Sequence, residues 1–195
     1  INGLDREVVG NIFPKVTGGF SSTLSWKGIS LYARFDYALG HTLYNDLAAR
    51  TLGQYQGAFN IITEVKDMWS EDNPNSDLPA FYYADQLAKK NITRSNNASA
   101  SRHNNSSRLY EKADYLALRE LTLSWDLPKA WTSKAFIQNA SVYVTGQNLF
   151  YVTGYTGTSP EPVLTNSDNN ENLYGVDQGR YPTPRTVLFG LSVTF

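Results

Sequence analysis

Residues 184–195 read Pro-Arg-Thr-Val-Leu-Phe-Gly-Leu-Ser-Val-Thr-Phe. Every second residue from Val187 to Phe195 is apolar, and except for Leu188 the residues between them are small or polar. Because successive side chains of a strand point to opposite faces, this alternation predicts a β-strand with one apolar face. The stretch has the length of the ~9 to 11 tilted residues with which a β-strand crosses a bilayer. It predicts either the final strand of a soluble sandwich or barrel, or a strand whose apolar face contacts lipid.

The composition of the chain excludes several classes of protein. Among 195 residues, 17 basic and 18 acidic residues leave a net charge of −1, so no basic patch predicts a nucleic-acid partner. The absence of cysteine excludes a disulfide framework, a thiolate metal site and a cysteine nucleophile. No apolar run approaches the ~18 residues of a spanning helix, so any crossing of a membrane would have to be by strands.

Two further alternating runs predict a hairpin near the start of the chain. Residues 16–26 and 29–39 are joined by Lys27-Gly28, a tight-turn dipeptide. In the second run the charged residues Arg34 and Asp36 lie on the face opposite the apolar one. A water-filled interior would solvate both, whereas an arginine at the midplane of the lipid face would cost ~2 to 4 kcal/mol. A soluble sandwich with its polar face in solvent fits these two residues equally well.

The remaining strands alternate with connections of very different length. Residues 110–126 resume the alternation, with a break of phase that predicts a bulge near Arg119, and residues 140–151 are rich in β-formers. Short connections lie at Lys27 and Pro128. Long ones cover residues of about 41–108, with hints of short helices, and 153–181. Long loops on one side and short turns on the other are typical of outer-membrane barrels, and about five strands cannot close around an aqueous lumen. The pattern therefore predicts part of a larger barrel.

The residue sequences of several segments resemble those of one protein family. Residues 115–128, Tyr-Leu-Ala-Leu-Arg-Glu-Leu-Thr-Leu-Ser-Trp-Asp-Leu-Pro, and residues 142–150, Val-Tyr-Val-Thr-Gly-Gln-Asn-Leu-Phe, resemble stretches near the end of SusC/RagA-type TonB-dependent transporters. Residues 175–186 are similar to the Gly-x-Asp-x-Gly-x-Tyr-Pro-x-Pro-Arg-Thr block that enters the last strand in that family. Residues 27–31 are similar to a family hairpin, with Ile29 where the family usually has Phe.

This resemblance implies a fold, a location and a set of partners. The fold is an all-β, transmembrane antiparallel barrel of about 22 strands, of which this chain would supply the C-terminal strands and the long extracellular loops. The plug domain and the segment that contacts TonB lie N-terminal in the family and are expected to be absent from this chain. The implied function is import of oligosaccharides or peptides across the outer membrane of a Gram-negative, Bacteroidetes-like cell. The implied partners are the rest of the barrel and its plug, a SusD-like surface lipoprotein, TonB and outer-membrane lipid.

The candidate site residues fall into three groups. Aromatic residues of the long loops could stack on sugar rings or hold peptide side chains, or could instead pack the loops onto the barrel or the cap; they are Trp69, Phe81, Tyr82, Tyr83, Tyr155 and Tyr174. The predicted lumen-facing residues are Tyr32, Arg34 and Asp36. The predicted lipid-facing residues are Ile29, Leu31, Phe35, Val187, Phe189, Leu191, Val193 and Phe195.

No motif predicts catalysis, a cofactor or a resident metal. His41 and His103 have no metal-ligand spacing, and neither a nucleophile elbow nor a phosphate-binding loop is present. Residues 70–77 and 168–172 carry the oxygen ligands that calcium prefers but lack the EF-hand spacing, so loop calcium is a secondary expectation. Two alternatives to the transporter remain at this point, a soluble β-sandwich that binds carbohydrate and an outer-membrane barrel hydrolase, the second without a supporting motif.

Overall fold

The computed structural model of the chain describes residues 7–52, 60, 62–78, 107–162 and 174–195. The chain divides into two compact units. The sheet unit comprises Pro14–Gly40, Ala113–Gly154 and Tyr181–Phe195. The loop unit comprises Ile1–Phe13, His41–Lys112 and Tyr155–Arg180.

The sheet unit is a single antiparallel sheet of five strands. They are β1 (Val16–Trp26), β2 (Ile29–Leu39), β5 (Tyr115–Asp126), β6 (Asn139–Thr153) and β8 (Thr186–Thr194). Their order in the sheet is β1-β2-β5-β6-β8, so strands that are consecutive within this unit pair with each other. Between β5 and β6 lie a short helix α2 (Lys129–Thr132) and a 3₁₀ turn (Ser133–Ala135). Four of the five strands were predicted from sequence alternation, and β6 was predicted from its content of β-forming residues.

The turn between β1 and β2 explains the sequence Lys27-Gly28. Both residues have positive φ, 47° and 85°, which is the backbone of a two-residue turn that matches the twist of the flanking strands. Glycine adopts this conformation without steric cost, and a Cβ at Gly28 would also lie 3.2 Å from the Asp126 carbonyl oxygen. The predicted hairpin is confirmed, and its register places Trp26 opposite Ile29.

The register of the sheet separates an apolar face from a polar one. Strand pairing places the apolar residues of all five strands in continuous rows, one of which contains Trp26, Ile29, Trp125, Val142 and Leu191. In β8 the apolar residues are open to the surroundings, since Phe189 is 83% and Leu191 65% exposed. A soluble sandwich would enclose these side chains under a second layer. Their exposure argues against that alternative.

The predicted bulge near Arg119 is confirmed. Glu120 pairs with Arg34 of β2 while Leu118 pairs with the next residue, Phe35, so Arg119 is an extra residue in β5. On the other side, Asn148 and Leu149 of β6 lie opposite the same interruption, and Asn148 has a positive φ of 51°. Because of this extra residue, the even-numbered leucines before the bulge share a face with the odd-numbered ones after it.

The loop unit contains three short strands, and the sequence predicted only the second of them, as the beginning of the run at 110–126. They are β3 (Thr42–Asn45), β4 (Tyr110–Lys112) and β7 (Val176–Asp177), and β3 pairs antiparallel with β4 and parallel with β7. Helix α1 (Asp46–Thr51) follows β3, and 3₁₀ turns cover Thr63–Asp67 and Ser107–Leu109. Leu43, Ala49, Val65 and Leu109 form buried apolar positions of this unit. No helix among the described residues is long and apolar enough to span a membrane.

Helix α1 begins after Asn45, a residue type that is favoured at the N-cap of a helix. The Asn45 side chain accepts a hydrogen bond of 2.9 Å from the Ala48 backbone N–H, which satisfies one of the donors left open in the first turn. The second hinted helix, near residues 59–69, is instead the 3₁₀ turn Thr63–Asp67 in the described part of that stretch.

Candidate functional site

The three predicted lumen-facing residues share the polar face of the sheet. Tyr32, Arg34 and Asp36 alternate along β2 and lie opposite Thr23, Ser21 and Gly19 of β1. This face carries hydroxyls and charges, whereas the opposite face carries the apolar rows. The sequence pattern alone placed these residues together, because period-two alternation assigns faces directly.

Arg119 is the centre of a polar network on this face. Its guanidinium forms a two-pronged ion pair with the Asp36 carboxylate, through Nε to Oδ1 and through Nη2 to Oδ2 at 2.9 Å. Its Nη1 donates to the Tyr151 hydroxyl at 2.8 Å and lies 3.4 Å from Asn148 Oδ1. The Tyr115 hydroxyl donates to Asp36 at 3.4 Å. The extra residue of the bulge therefore ties β2, β5 and β6 together.

Residues of this region of β1, β2 and β5 line a concavity. Its volume is about 510 Å³, and it is lined by Gly18, Gly19, Phe20, Ser21, Arg34, Phe35, Asp36 and Arg119. Gly19 is required there, because a Cβ would lie 2.9 Å from the backbone oxygen of Phe35. The Arg34 side chain is 55% exposed and only 3.8 Å from the Glu120 carboxylate. Its donors remain accessible for a polar ligand or for another protein segment.

The loop unit is organised around a buried carboxylate, Asp177. It lies in β7 beside Asn45 of β3 and has no exposed surface. The Tyr155 hydroxyl donates to Oδ2 at 2.9 Å, and the Thr158 hydroxyl donates to Oδ1 at 2.8 Å. The backbone N–H groups of Thr158 and Gly179 each donate at 3.0 Å. These donors close residues 155–158 and 177–179 into one structure, which we call the Asp177 hub.

The hub changes the acidity of two of its members. Burial acts to raise the pKa of Asp177, but the hydrogen bonds from Thr158, Tyr155 and the Gly179 backbone outweigh it, so the pKa lies below its usual value. The pKa of the Tyr155 phenol is raised, first by burial and then by the negative charge of Asp177 and its hydrogen bond. Asp177 is therefore ionised and Tyr155 neutral near neutral pH.

A second carboxylate holds the other side of the same segment. Glu111 in β4 accepts from the Thr156 backbone N–H at 2.9 Å and from the Thr156 hydroxyl at 2.8 Å. The Asn45 side-chain amide donates to Glu111 at 3.0 Å. Tyr155 and Thr156 are consecutive residues, so the chain is fixed from two sides by Asp177 and Glu111. Nearby, the His41 Nε2 lies 2.8 Å from the Pro160 carbonyl oxygen, which gives this buried histidine a packing role.

The predicted loop aromatics occupy different environments. Trp69 is 44% exposed on a compact turn, where its backbone N–H donates to the Leu78 carbonyl oxygen at 2.8 Å. Tyr155 is only 7% exposed and is committed to Asp177, which fits the packing alternative. Tyr174 is partly exposed at the start of the β7 segment. Phe81, Tyr82 and Tyr83 lie outside the described residues.

The acidic stretch at residues 70–77 is a hydrogen-bonded turn. The Asn73 side chain donates to the Asp67 carbonyl oxygen at 3.0 Å, and the Asn73 backbone N–H donates to the Ser70 carbonyl oxygen at 3.0 Å. Within the part of the chain that the structure describes, no group of three histidine or acidic side chains could hold a metal ion. The other predicted calcium stretch, residues 168–172, and His103 lie outside that part.

An antiparallel sheet with one exposed apolar face and one charged face defines the class of strand proteins that can contact lipid on one side and water on the other. Comparison with known proteins gives the family. TonB-dependent receptor P3 of Formosa agariphila is 31% identical over 198 residues, which cover 100% of this chain and 18% of that receptor. TonB-dependent receptor P26 of the same organism is 30% identical over 192 residues, which cover 98% of this chain and 18% of the receptor. No family model matches the chain.

Solved structures agree with these relatives. The RagAB peptide transporter superposes with a TM-score of 0.69 at 26% identity, covering 96% of this chain and 18% of that chain. The chain belongs to the SusC/RagA-type TonB-dependent receptors, as its sequence resemblance predicted. It spans about a fifth of the length of the relatives that it matches. These relatives are named as two TonB-dependent receptors and a peptide transporter.

The sequence missed the two residues that organise the polar parts of the structure. Arg119 was marked only by the break of phase in β5, and Asp177 only by its place in the Gly-x-Asp-x-Gly block. A signal for Arg119 did exist, because a charged residue at a phase break must leave the apolar face. No comparable signal singled out Tyr155 as the partner of Asp177, since 22 residues separate them.

Proposed function

We propose that this chain forms the C-terminal part of the wall, and substrate-facing loops, of an outer-membrane TonB-dependent importer of oligosaccharides or peptides. The observation that carries the proposal is the two-faced sheet, with exposed Phe189 and Leu191 on one side and the Arg119–Asp36 network on the other. The relatives are TonB-dependent receptors, which supports the same membrane and the same energy source. The five strands would continue on both sides into a closed barrel of about 22 strands.

The two faces of the sheet would contact two different solvents. The apolar face would contact lipid through Ile29, Leu31, Phe35, Val187, Phe189, Leu191, Val193 and Phe195. The polar face would line the lumen through Tyr32, Arg34 and Asp36. Exchanging the faces would place charged side chains in hydrocarbon, at ~2 to 4 kcal/mol for a single arginine at the midplane.

Both long connections leave the sheet at the same end, because β2 and β6 run in the same direction. We place this end outside the cell, so that residues of about 41–108 and 153–181 form extracellular loops. Trp69, with Phe81, Tyr82, Tyr83 and Tyr174, would supply aromatic surface for sugar rings or peptide side chains. Tyr155 would hold the loop in shape through the Asp177 hub. A SusD-like surface lipoprotein would cap these loops, and the plug and the TonB contact would come from other parts of the full-length protein.

The location can be tested on the full-length protein that contains this segment. The protein should fractionate with the outer membrane and should require detergent for extraction. Its electrophoretic mobility should change when the sample is heated, because a closed barrel resists dodecyl sulfate until it is unfolded. Recovery in the aqueous fraction without detergent, together with a mobility that is independent of heating, would contradict the barrel.

Substrate import requires a separate experiment. A deletion strain should lose growth on one polymer class, either peptides or oligosaccharides, when that class is the sole carbon source. A strain that lacks TonB should lose the same growth. The RagAB neighbours are described as a peptide transporter and importer, which favours testing peptides first. Genes for peptidases or glycoside hydrolases beside the coding sequence would point to the corresponding substrate. Unchanged growth on both classes would contradict the import proposal.

A further inference from the structure

One end of the sheet collects tryptophan on its apolar face. Three of the four tryptophans of the chain, Trp26, Trp125 and Trp131, lie where the short connections are. Trp26 and Trp125 belong to the same cross-strand row, and both are exposed. Trp131, on the β5–β6 connection, packs edge-on against Trp125 with ring centroids 5.8 Å apart and is itself exposed. Indole rings favour the boundary between hydrocarbon and headgroups.

Lysines accompany these rings. The Lys27 ammonium lies 4.7 Å from the centroid of the Trp26 ring, so the charge is held on the apolar side of the sheet. Lys129 and Lys134 are exposed on the connection that carries Trp131. The contact between Trp131 and Trp125 places this connection beside the apolar face as well. The resulting surface, which we call the Trp-Lys end, combines flat aromatic rings with cations.

The Trp-Lys end has a clear charge bias. In the segments that build it, residues 24–31, 124–141 and 186–194, the charged side chains are Lys27, Lys129, Lys134 and a single acid, Asp126. Asp126 lies opposite Ser141 and alternates with Trp125, so it belongs to the polar face of β5. The cations on the apolar side are therefore not matched by an acidic side chain on that side within these segments.

We propose that the Trp-Lys end binds an anionic glycerophospholipid, with the lysines on the phosphate and charged headgroup and the tryptophans at the glycerol region. This inference rests on the proposed membrane location, in which the short connections face the periplasm and the inner leaflet. A lysine at the surface of an anionic leaflet strengthens binding roughly fivefold. The neighbouring indoles would fix the depth of the ammonium groups in the leaflet. A lysine without such neighbours would have no fixed depth.

The test uses the full-length transporter, purified in detergent and freed of bound lipid. Native mass spectrometry would compare phosphatidylglycerol with phosphatidylcholine, added at equal concentration. We expect the wild-type protein to retain phosphatidylglycerol preferentially. The triple variant Lys27→Gln, Lys129→Gln, Lys134→Gln should lose at least about tenfold of this preference. A matched control, Lys15→Gln, Lys66→Gln, Lys112→Gln, removes three exposed lysines from other places and should keep it.

Further arms separate the possible failures. Equal retention of the two lipids, or equal loss in both triple variants, would overturn the lipid inference. Purified lipid A carries phosphates from the outer leaflet, and preferential binding of lipid A that depends on the same three lysines would overturn it too. The membrane location is judged independently by fractionation and by the heat-dependent mobility. A protein that passes those assays but shows no lysine-dependent lipid retention would refute the lipid site and leave the importer standing.

Discussion

The sheet unit and the loop unit place their polar groups in opposite ways. In the sheet unit the charged residues of the strands lie on the polar face, where Arg119 and Asp36 bridge strands beside a concavity of about 510 Å³. In the loop unit the carboxylate of Asp177 is fully buried and is satisfied by hydroxyl and backbone donors. Long strands can rely on a regular ladder, whereas strands of two to four residues cannot. The loop unit therefore depends on a few buried polar side chains, whereas the sheet depends on the regular hydrogen bonding of its long strands.

The largest expected effect tests the apolar face of the sheet. Val187→Arg should destabilise the full-length protein in a bilayer by ~2 to 4 kcal/mol, because the charge would enter hydrocarbon. Leu188→Arg is the matched control, since the neighbouring residue points to the polar face and should have a much smaller effect. Urea unfolding in lipid vesicles measures both. Equal effects of the two substitutions would contradict the assignment of Val187 to the lipid-contacting face and Leu188 to the polar face.

The next effect tests the buried carboxylate of the loop unit. Asp177→Asn should destabilise this unit by ~1 to 3 kcal/mol, because an amide accepts at one oxygen only and leaves buried donors unsatisfied. Hydrogen exchange followed by mass spectrometry should show faster exchange in residues 155–161 and 174–180, with β1 and β2 unchanged. Asp72→Asn, at an exposed position in the loop unit, should change neither region. If Asp177→Asn left the hydrogen-exchange protection of these residues unchanged, the Asp177 hub would not be what stabilises the loop unit.

A smaller effect is expected for the open network of the sheet. Arg119→Lys keeps the charge but loses the planar fork that engages Asp36 and Tyr151 together, and should cost ~1 to 2 kcal/mol. The measurement is the temperature at which heating changes the electrophoretic mobility, and Arg119→Lys should lower it. Arg34→Lys replaces an exposed arginine in a loose ion pair and should have little effect, because such pairs contribute ~0 to 1 kcal/mol. A larger effect at Arg34 than at Arg119 would reverse the roles that we assign.

The smallest expected effect is the pH dependence of stability that Asp177 contributes to the loop unit. The pKa of Asp177 in the folded chain is below the ~3.9 of an unfolded aspartate, so the folded state binds fewer protons at acidic pH. The stabilisation is therefore complete above about pH 4 and is lost as the pH falls through the lowered pKa. Urea unfolding followed by a fluorophore at Asp72→Cys should show this loss, and Asp177→Asn should flatten it. A profile that is unchanged by Asp177→Asn would assign the acid sensitivity to other groups.

The sequence predicted the sheet because its pattern is long and periodic. The runs at 16–26 and 29–39 coincide with β1 and β2, and the phase break identified the bulge at Arg119. The strands of the loop unit are too short to display alternation, so β3 and β7 were missed, and β4 was predicted only as the beginning of the longer run at 110–126. The Asp177 hub depends on tertiary contacts between residues far apart in the chain, which no local period reports. For the same reason Tyr155 was grouped with the exposed aromatics although it is buried.

The extra residue at Arg119 also limits how the length of these strands can change. Removing it would shift one half of β5 by one residue, so that Tyr115 and Ala117 would move to the apolar face of the sheet while Leu116 and Leu118 moved to the polar face. Inserting a single residue elsewhere in the strand would have the same consequence for everything on one side of it. Insertions or deletions of two residues keep every side chain on its own side. Engineered versions of this sheet can therefore be lengthened or shortened in even steps, and odd steps need a compensating change in the adjoining strand.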